Sequence, residues 1–178
     1  EEELVLAAWR ELAAPEALLV LVPRHPQRFA EVADLLAREK ISFVRRSEGV
    51  PGPETSVWLG DSMGEMAAYY TLADIAFIGG SLLPLGGQNL IEAAACGCPV
   101  VVGPHTFNFL QATADAIAAG AARRVDDAHG LAAAIGKAFG DKRELGEMRA
   151  AAAHFAAAHR GATARTVVLI RSAITGSR

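Results

Sequence analysis

The sequence predicts an α/β domain built on a doubly wound parallel sheet. Three observations carry this. Short apolar runs alternate with amphipathic, helix-length stretches along nearly the whole chain, and the connections between them are short. The run at 18–22 is continuously apolar, as a strand buried on both faces of a parallel sheet is. The glycine- and proline-rich segments fall just after predicted strands. A parallel sheet gathers those ends on one edge, where α/β domains bind ligands. The pattern implies about six strands.

Residues 3–14 read as a helix, with Val5, Ala8, Trp9 and Leu12 at helical spacing, an acidic start that suits the helix dipole, and Pro15 after its end. Strand 18–22 runs into Pro23-Arg24-His25-Pro26. Helix 28–40 carries the stripe Phe29, Val32, Ala33, Leu36. Strand 41–45 precedes a loop with Gly49, Pro51, Gly52 and Pro53, and strand 56–59 ends in Gly60-Asp61. Asp61 or Ser62 is expected to cap a helix starting near Met63, with Glu65 in its first turn.

Strand 75–78 then ends in Gly79-Gly80-Ser81, and a second glycine pair follows at Gly86-Gly87. Gln88-Asn89 opens helix 90–96, which Gly97 stops. Strand 99–102 ends in Gly103-Pro104-His105. Helix 107–119 has Phe107, Leu110, Ala114 and Ile117 on one side. After strand 121–125, Asp126 or Asp127 caps a helix holding Leu131, Ala134, Ile135 and Ala138. The tail from 142 is helical and breaks near Gly161, with one stripe of Leu145, Met148, Ala152 and Phe155 and another of Val167, Ile170 and Ile174.

A length of 178 residues fits one domain with a real core. The net charge of -3 and the aromatic content of 6% give no basic, aromatic-studded face for nucleic acid. Cys96 and Cys98 stand one residue apart, which is neither a zinc pair nor a C-x-x-C motif; they read as reduced thiols of a cytosolic protein. No run approaches the roughly 18 apolar residues of a membrane span, and no signal peptide is visible. A chain that opens on Glu1-Glu2-Glu3 is expected to be a piece of a longer protein, whose preceding part could carry an anchor.

Several residues carry chemistry, each with a plainer alternative. The glycine loop from Gly79 is neither a G-x-G-x-x-G fingerprint nor a P-loop; it is either a turn or a phosphate cradle. Arg24, between two prolines at a strand end, is either a solvated loop residue or a guanidinium aimed at phosphate oxygens. His25 is a weaker candidate for the same ligand. Met63-Gly64-Glu65 is either a capped helix start or a turn whose backbone reads the edge of a base. Asn89 and Glu92 share one face of a helix's first turn. Capping and the dipole account for both, yet a carboxylate there could also accept hydrogen bonds from both ribose hydroxyls. The acidic pair Asp126-Asp127 is not a metal motif, and the D-x-D of metal-dependent sugar transferases is missing.

The stretch GGSLLPLGGQNLIEAAACGCPVVVGPHTFNF resembles the signature of the 3-deoxy-D-manno-octulosonic acid (Kdo) transferases of lipopolysaccharide synthesis, a GGS…GGxNxxE segment followed by GPHxxNF. Pro23-Arg24 and Met63-Gly64-Glu65 lie in two further matching segments, in the right order. The resemblance implies a Rossmann-like C-terminal half of a GT-B glycosyltransferase over residues 1–178, with helices 141–178 packing on it and the N-terminal acceptor domain absent. It implies nucleotide binding by Pro23, Arg24, Met63, Gly64, Glu65, Gly79, Gly80, Ser81, Asn89, Leu90, Ile91 and Glu92, and sugar contacts for Gln88 and His105. The implied donor is CMP-Kdo, the acceptor a lipid A precursor, and the setting the cytoplasmic face of the inner membrane, reached through the absent part, with this fragment itself soluble. No metal, cofactor or nucleic acid is implied. The catalytic base would lie in the absent domain, so this fragment would be inactive alone. Gln88 departs from the His common at that position, and Leu90 from a frequent Pro. A GT-B transferase or epimerase using a UDP-sugar, or a nucleotide-binding module without chemistry, remain the alternatives.

Overall fold

The computed structural model describes residues 1–12, 14, 16–159, 167 and 170–172. Its elements run α1 (Glu2–Glu11), β1 (Leu19–Leu21), α2 (Phe29–Arg38), β2 (Phe43–Arg45), β3 (Val57–Leu59), α3 (Met66–Leu72), β4 (Ala76–Ile78), α4 (Leu90–Ala95), β5 (Val100–Val102), α5 (Leu110–Ala118), β6 (Ala122–Arg124), α6 (Ala128–Gly140) and α7 (Lys142–His159). The predicted break at Gly161 and the stripe residue Ile174 lie outside the described residues.

All strand pairs are parallel. One three-stranded sheet has the order β1-β3-β2, with Leu19 and Phe43 both opposite Val57. The second has the order β4-β5-β6, with Ala76 and Ala122 both opposite Val100. The six strands and their direction agree with the sequence, but they form two sheets, and no ladder among the described residues joins β1 to β4.

Strand burial follows that division. Val100, Val101 and Val102 of the central β5 are all buried, as are Val57 and Leu59 of the central β3. Strand β1 was expected to be buried on both faces; it lies at an edge of its sheet, its residues are only half-buried and Leu18 is exposed.

Helix α1 covers the seam. Its Leu6 packs with Val32, Leu36, Val57 and Leu59 over the first sheet, and its Ala8 packs with Leu82, Val101 and Leu131 over the second. On the other side of the second sheet, Ala93 and Ala94 of α4, Ala116 of α5 and Ala152 and Phe155 of α7 form one core with Ile78, Val100 and Val102. Alanines set close helix–sheet contact there. Helices α4, α5 and α6 all touch α7.

Two helix starts differ in their chemistry. Asp127 caps α6 as its sequence position predicts, accepting from the Gly130 N–H at 2.8 Å. Helix α3 instead begins at Met66, with Glu65 at its N-cap and no side-chain capping bond. Asp61 is drawn away by Ser47, whose N–H and hydroxyl donate to its carboxylate at 2.8 and 2.6 Å.

Candidate functional site

Parallel pairing places the loops after β1, β2 and β3 at one edge of the first sheet, and those after β4, β5 and β6 at one edge of the second. The start of α1 joins the two edges. Glu2 accepts from Arg28, just past the β1 loop, at 3.3 Å. The Glu1 carboxylate accepts the N–H groups of Gly80, Leu82 (2.8 Å) and Leu83 (3.2 Å) in the loop after β4. Glu1 and Glu2 thus tie the loop after β4 and the segment after β1 to the start of one helix.

The β1 loop presents an unencumbered cation. Pro23 is buried and anchors the turn, while Arg24 and His25 are exposed, and Arg24 has no hydrogen bond or ion pair among the described residues. Arg28, by contrast, is shared between Glu31 at 3.0 Å and Glu2.

The turn after β3 presents backbone. Met63 is 64% exposed, and Gly64 has φ +82° with no atom near the position a Cβ would take, so its peptide is open to a ligand. Glu65 is occupied: the Ser62 hydroxyl donates to its carboxylate, and Arg46 pairs with it at 3.0 Å. These partners, Ser62 first, hold the Glu65 carboxyl below its ordinary value of 4.5 against the opposing effect of partial desolvation. Partial burial raises the Asp61 carboxyl, but the two Ser47 hydrogen bonds outweigh it and leave the group lowered.

The segment after β4 is held at nearly every step. The Gly87 N–H donates to the Gly80 carbonyl at 2.8 Å and the Gln88 N–H to the Gly79 carbonyl at 3.1 Å. Ser81 is buried; its hydroxyl donates to the Ile78 carbonyl at 2.5 Å and accepts the Gly103 N–H at 2.8 Å. The Asn108 amide donates to the carbonyls of Leu85 (3.3 Å) and Gly87 (3.5 Å). Gly86 has φ +93°, and a Cβ there would lie 2.4 Å from Asn108. The His105 N–H donates to the Ser81 carbonyl at 2.9 Å, and its ring is half-buried.

At the start of α4, Asn89 accepts the Ile91 N–H at 3.1 Å and its amide donates to Glu92 at 3.0 Å. Capping thus engages both the oxygen and the amide nitrogen of Asn89. Glu92 stays exposed, with acceptor capacity to spare. The Leu90 side chain is in the core, so only its backbone can face a ligand. Gln88 is half-buried beside Gly80. The neighbouring Tyr70 hydroxyl is pushed up to about 12, by burial first and then by the Glu92 charge.

The sequence did not single out Arg46 or Glu1 for these roles. Arg46 follows a predicted strand as Arg24 does, and that position was its signal. The contact from Glu1 to Gly80 spans 79 residues and had no local signal. Among the described residues, no group of three or more His, Cys, Asp or Glu side chains could hold a metal ion, and no helix is long and apolar enough to cross a membrane.

No protein-family model matches the chain. It is 51% identical over 157 residues to the 3-deoxy-D-manno-octulosonic acid transferase of Bordetella pertussis, covering 87% of this chain and 37% of that protein. It is 54% identical over 112 residues to the transferase of the same name from Haemophilus influenzae, covering 61% and 26%. The chain thus spans well under half the length of these relatives. Among solved structures it matches the C-terminal CMP-Kdo binding domain of WaaA from Acinetobacter baumannii, with a TM-score of 0.78, 33% identity, and coverage of 85% of this chain and 80% of that one. A doubly wound α/β chain that matches such a domain over most of both lengths belongs to the Kdo transferase family as a counterpart of that C-terminal domain.

Proposed function

We propose that this chain is the donor-binding domain of a glycosyltransferase that moves Kdo from CMP-Kdo to a lipid A precursor. What supports the reading is that Arg24, the Met63–Gly64 turn and Glu92 are exposed on segments that follow β1, β3 and β4, in a domain similar to one described as binding CMP-Kdo.

Each group has a task. Arg24 forks onto the phosphate; its guanidinium is exposed and unpaired among the described residues. The open peptide at Met63–Gly64 reads the cytosine edge, where a backbone carbonyl accepts from the exocyclic amine. Uracil offers a carbonyl at that place and leaves the acceptor unpaired, at a cost of roughly 1–3 kcal/mol. Glu92, braced by Asn89, takes the ribose hydroxyls. The carboxylates of Glu92 and Glu65 repel phosphate, which keeps the anion on the Arg24 side.

Transfer with inversion needs a base for the acceptor hydroxyl and stabilisation of the departing CMP. This chain supplies the second through Arg24 and backbone N–H groups. The base, the lipid acceptor site and any attachment to the cytoplasmic face of the inner membrane are assigned to an N-terminal part outside this chain. Gln88 offers the sugar side a hydrogen bond but no proton.

Calorimetry of this domain with CMP and with UMP, in EDTA, tests the reading. CMP is expected to bind more tightly, at modest affinity and without metal. Tighter UMP binding, or binding only with added Mg²⁺, would replace it with the UDP-sugar reading.

A further inference from the structure

The Glu1 carboxylate does unusual work for a residue at a helix start. It is the N-cap of α1, yet it makes no capping bond to its own helix. It reaches instead into the loop after β4 and accepts three main-chain N–H groups, from Gly80, Leu82 and Leu83. Converging backbone amides of this kind form a nest that fits an anion. The Glu1 side chain is only 11% exposed, so water competes little for these bonds. Apolar packing reinforces the joint, since Leu82 of the same loop lies in one cluster with Ala8 of α1. The next residue, Glu2, holds Arg28. Two consecutive carboxylates thus fix the loop after β1 and the loop after β4 relative to one another, across the seam that no ladder closes.

We infer that Glu1 is a positioning residue for the donor site: by filling the Gly80–Leu83 nest it sets the loop that presents Asn89 and Glu92, and it withholds those amides from the donor phosphate. This rests, for its effect on nucleotide, on the donor-binding reading. For its effect on the loop it stands alone.

The test is Glu1→Ala, followed by amide NMR and calorimetry with CMP, with and without sodium acetate at constant ionic strength. In the variant the Gly80, Leu82 and Leu83 amides are expected to lose exchange protection. Acetate, a free carboxylate of the right shape, should restore their shifts in the variant and leave the wild type unmoved. CMP should bind about tenfold more weakly, roughly the loss of one charge-assisted hydrogen bond, and acetate should recover most of it. A general folding defect would not be rescued by acetate. Glu1→Gln keeps the side-chain volume and is the second variant should Glu1→Ala fail to fold; its amide group sets N–H against N–H and should disturb the same three residues. Unchanged amide protection in these variants would overturn the inference, as would CMP binding that is unchanged or tighter. If the wild type binds no CMP, the donor-binding reading fails by itself, and the amide and acetate results still decide whether Glu1 shapes the loop.

Discussion

The loops after β1 and after β4 are tied to the start of the same helix and are built on opposite plans. The second is hydrogen-bonded at nearly every step, by Glu1, Ser81 and Asn108, and has Gly86 where a Cβ would collide. The first leaves its cation, Arg24, exposed and unpaired among the described residues. In an unbound domain, the group that contacts ligand is the one whose bonding capacity is unspent, and the saturated loop is the frame that holds it. Mutations in the two loops should therefore separate stability from binding.

The largest effect is expected on the framed side. A Cβ at Gly103 would lie 2.2 Å from the Ser81 carbonyl oxygen, a main-chain atom that cannot swing aside. Gly103→Ala should cost about 3 kcal/mol of stability, a fall in Tm of roughly 6–12 °C by thermal denaturation. A variant as stable as the wild type would show that the loop is not a rigid frame.

The opposite outcome is expected at Arg24. Arg24→Ala should leave Tm unchanged and weaken CMP by about 1.5–3 kcal/mol while scarcely changing cytidine. Titration with both ligands checks it; a parallel loss for cytidine would move Arg24 from the phosphate to the base or the fold.

Glu92 sharpens the contrast inside one residue pair. Glu92→Gln should weaken CMP by about 1.5 kcal/mol, and a 2′,3′-dideoxy analogue by less, if its carboxylate serves the ribose. Equal losses would assign it to bracing Asn89 alone.

The smallest expected effect is on acid stability. Asp61 and Glu65 both have folded-state pKa values below their ordinary 3.8 and 4.5. A lowered carboxyl adds stability above its unfolded value, and that stability is lost as pH falls through the folded value. Denaturant titrations at pH 7 and below pH 3.8 should show the wild type losing more stability than Ser47→Ala, which keeps the main-chain N–H bond to Asp61 but lacks the hydroxyl's.

How much of this was legible in the sequence follows from range. Periodicity is local, so strand–helix alternation and the Asn89 and Asp127 caps could be read directly. Strand pairing is not local. The run at 18–22 looks like an interior strand because its residues are apolar, yet β1 lies at an edge of its sheet and is only half-buried. The same limit applies to the site. Arg24 and the Met63–Gly64 turn were visible as strand-end residues. The resemblance implied a nucleotide contact for Ser81, and in the fold its hydroxyl is engaged by Ile78 and Gly103. Asp61 looked like a cap until Ser47, 14 residues away, competed for it.

The most direct test of the contrast between the two loops is a CMP titration of the assigned amide NMR spectrum. The account predicts that shifts concentrate at Arg24 and His25, at Met63 to Glu65, and at Asn89 to Glu92, while the Gly80, Leu82 and Leu83 amides keep their protection. Shifts centred on Gly80 to Leu83, with Arg24 and its neighbours unmoved, would contradict it and make the framed loop the phosphate site.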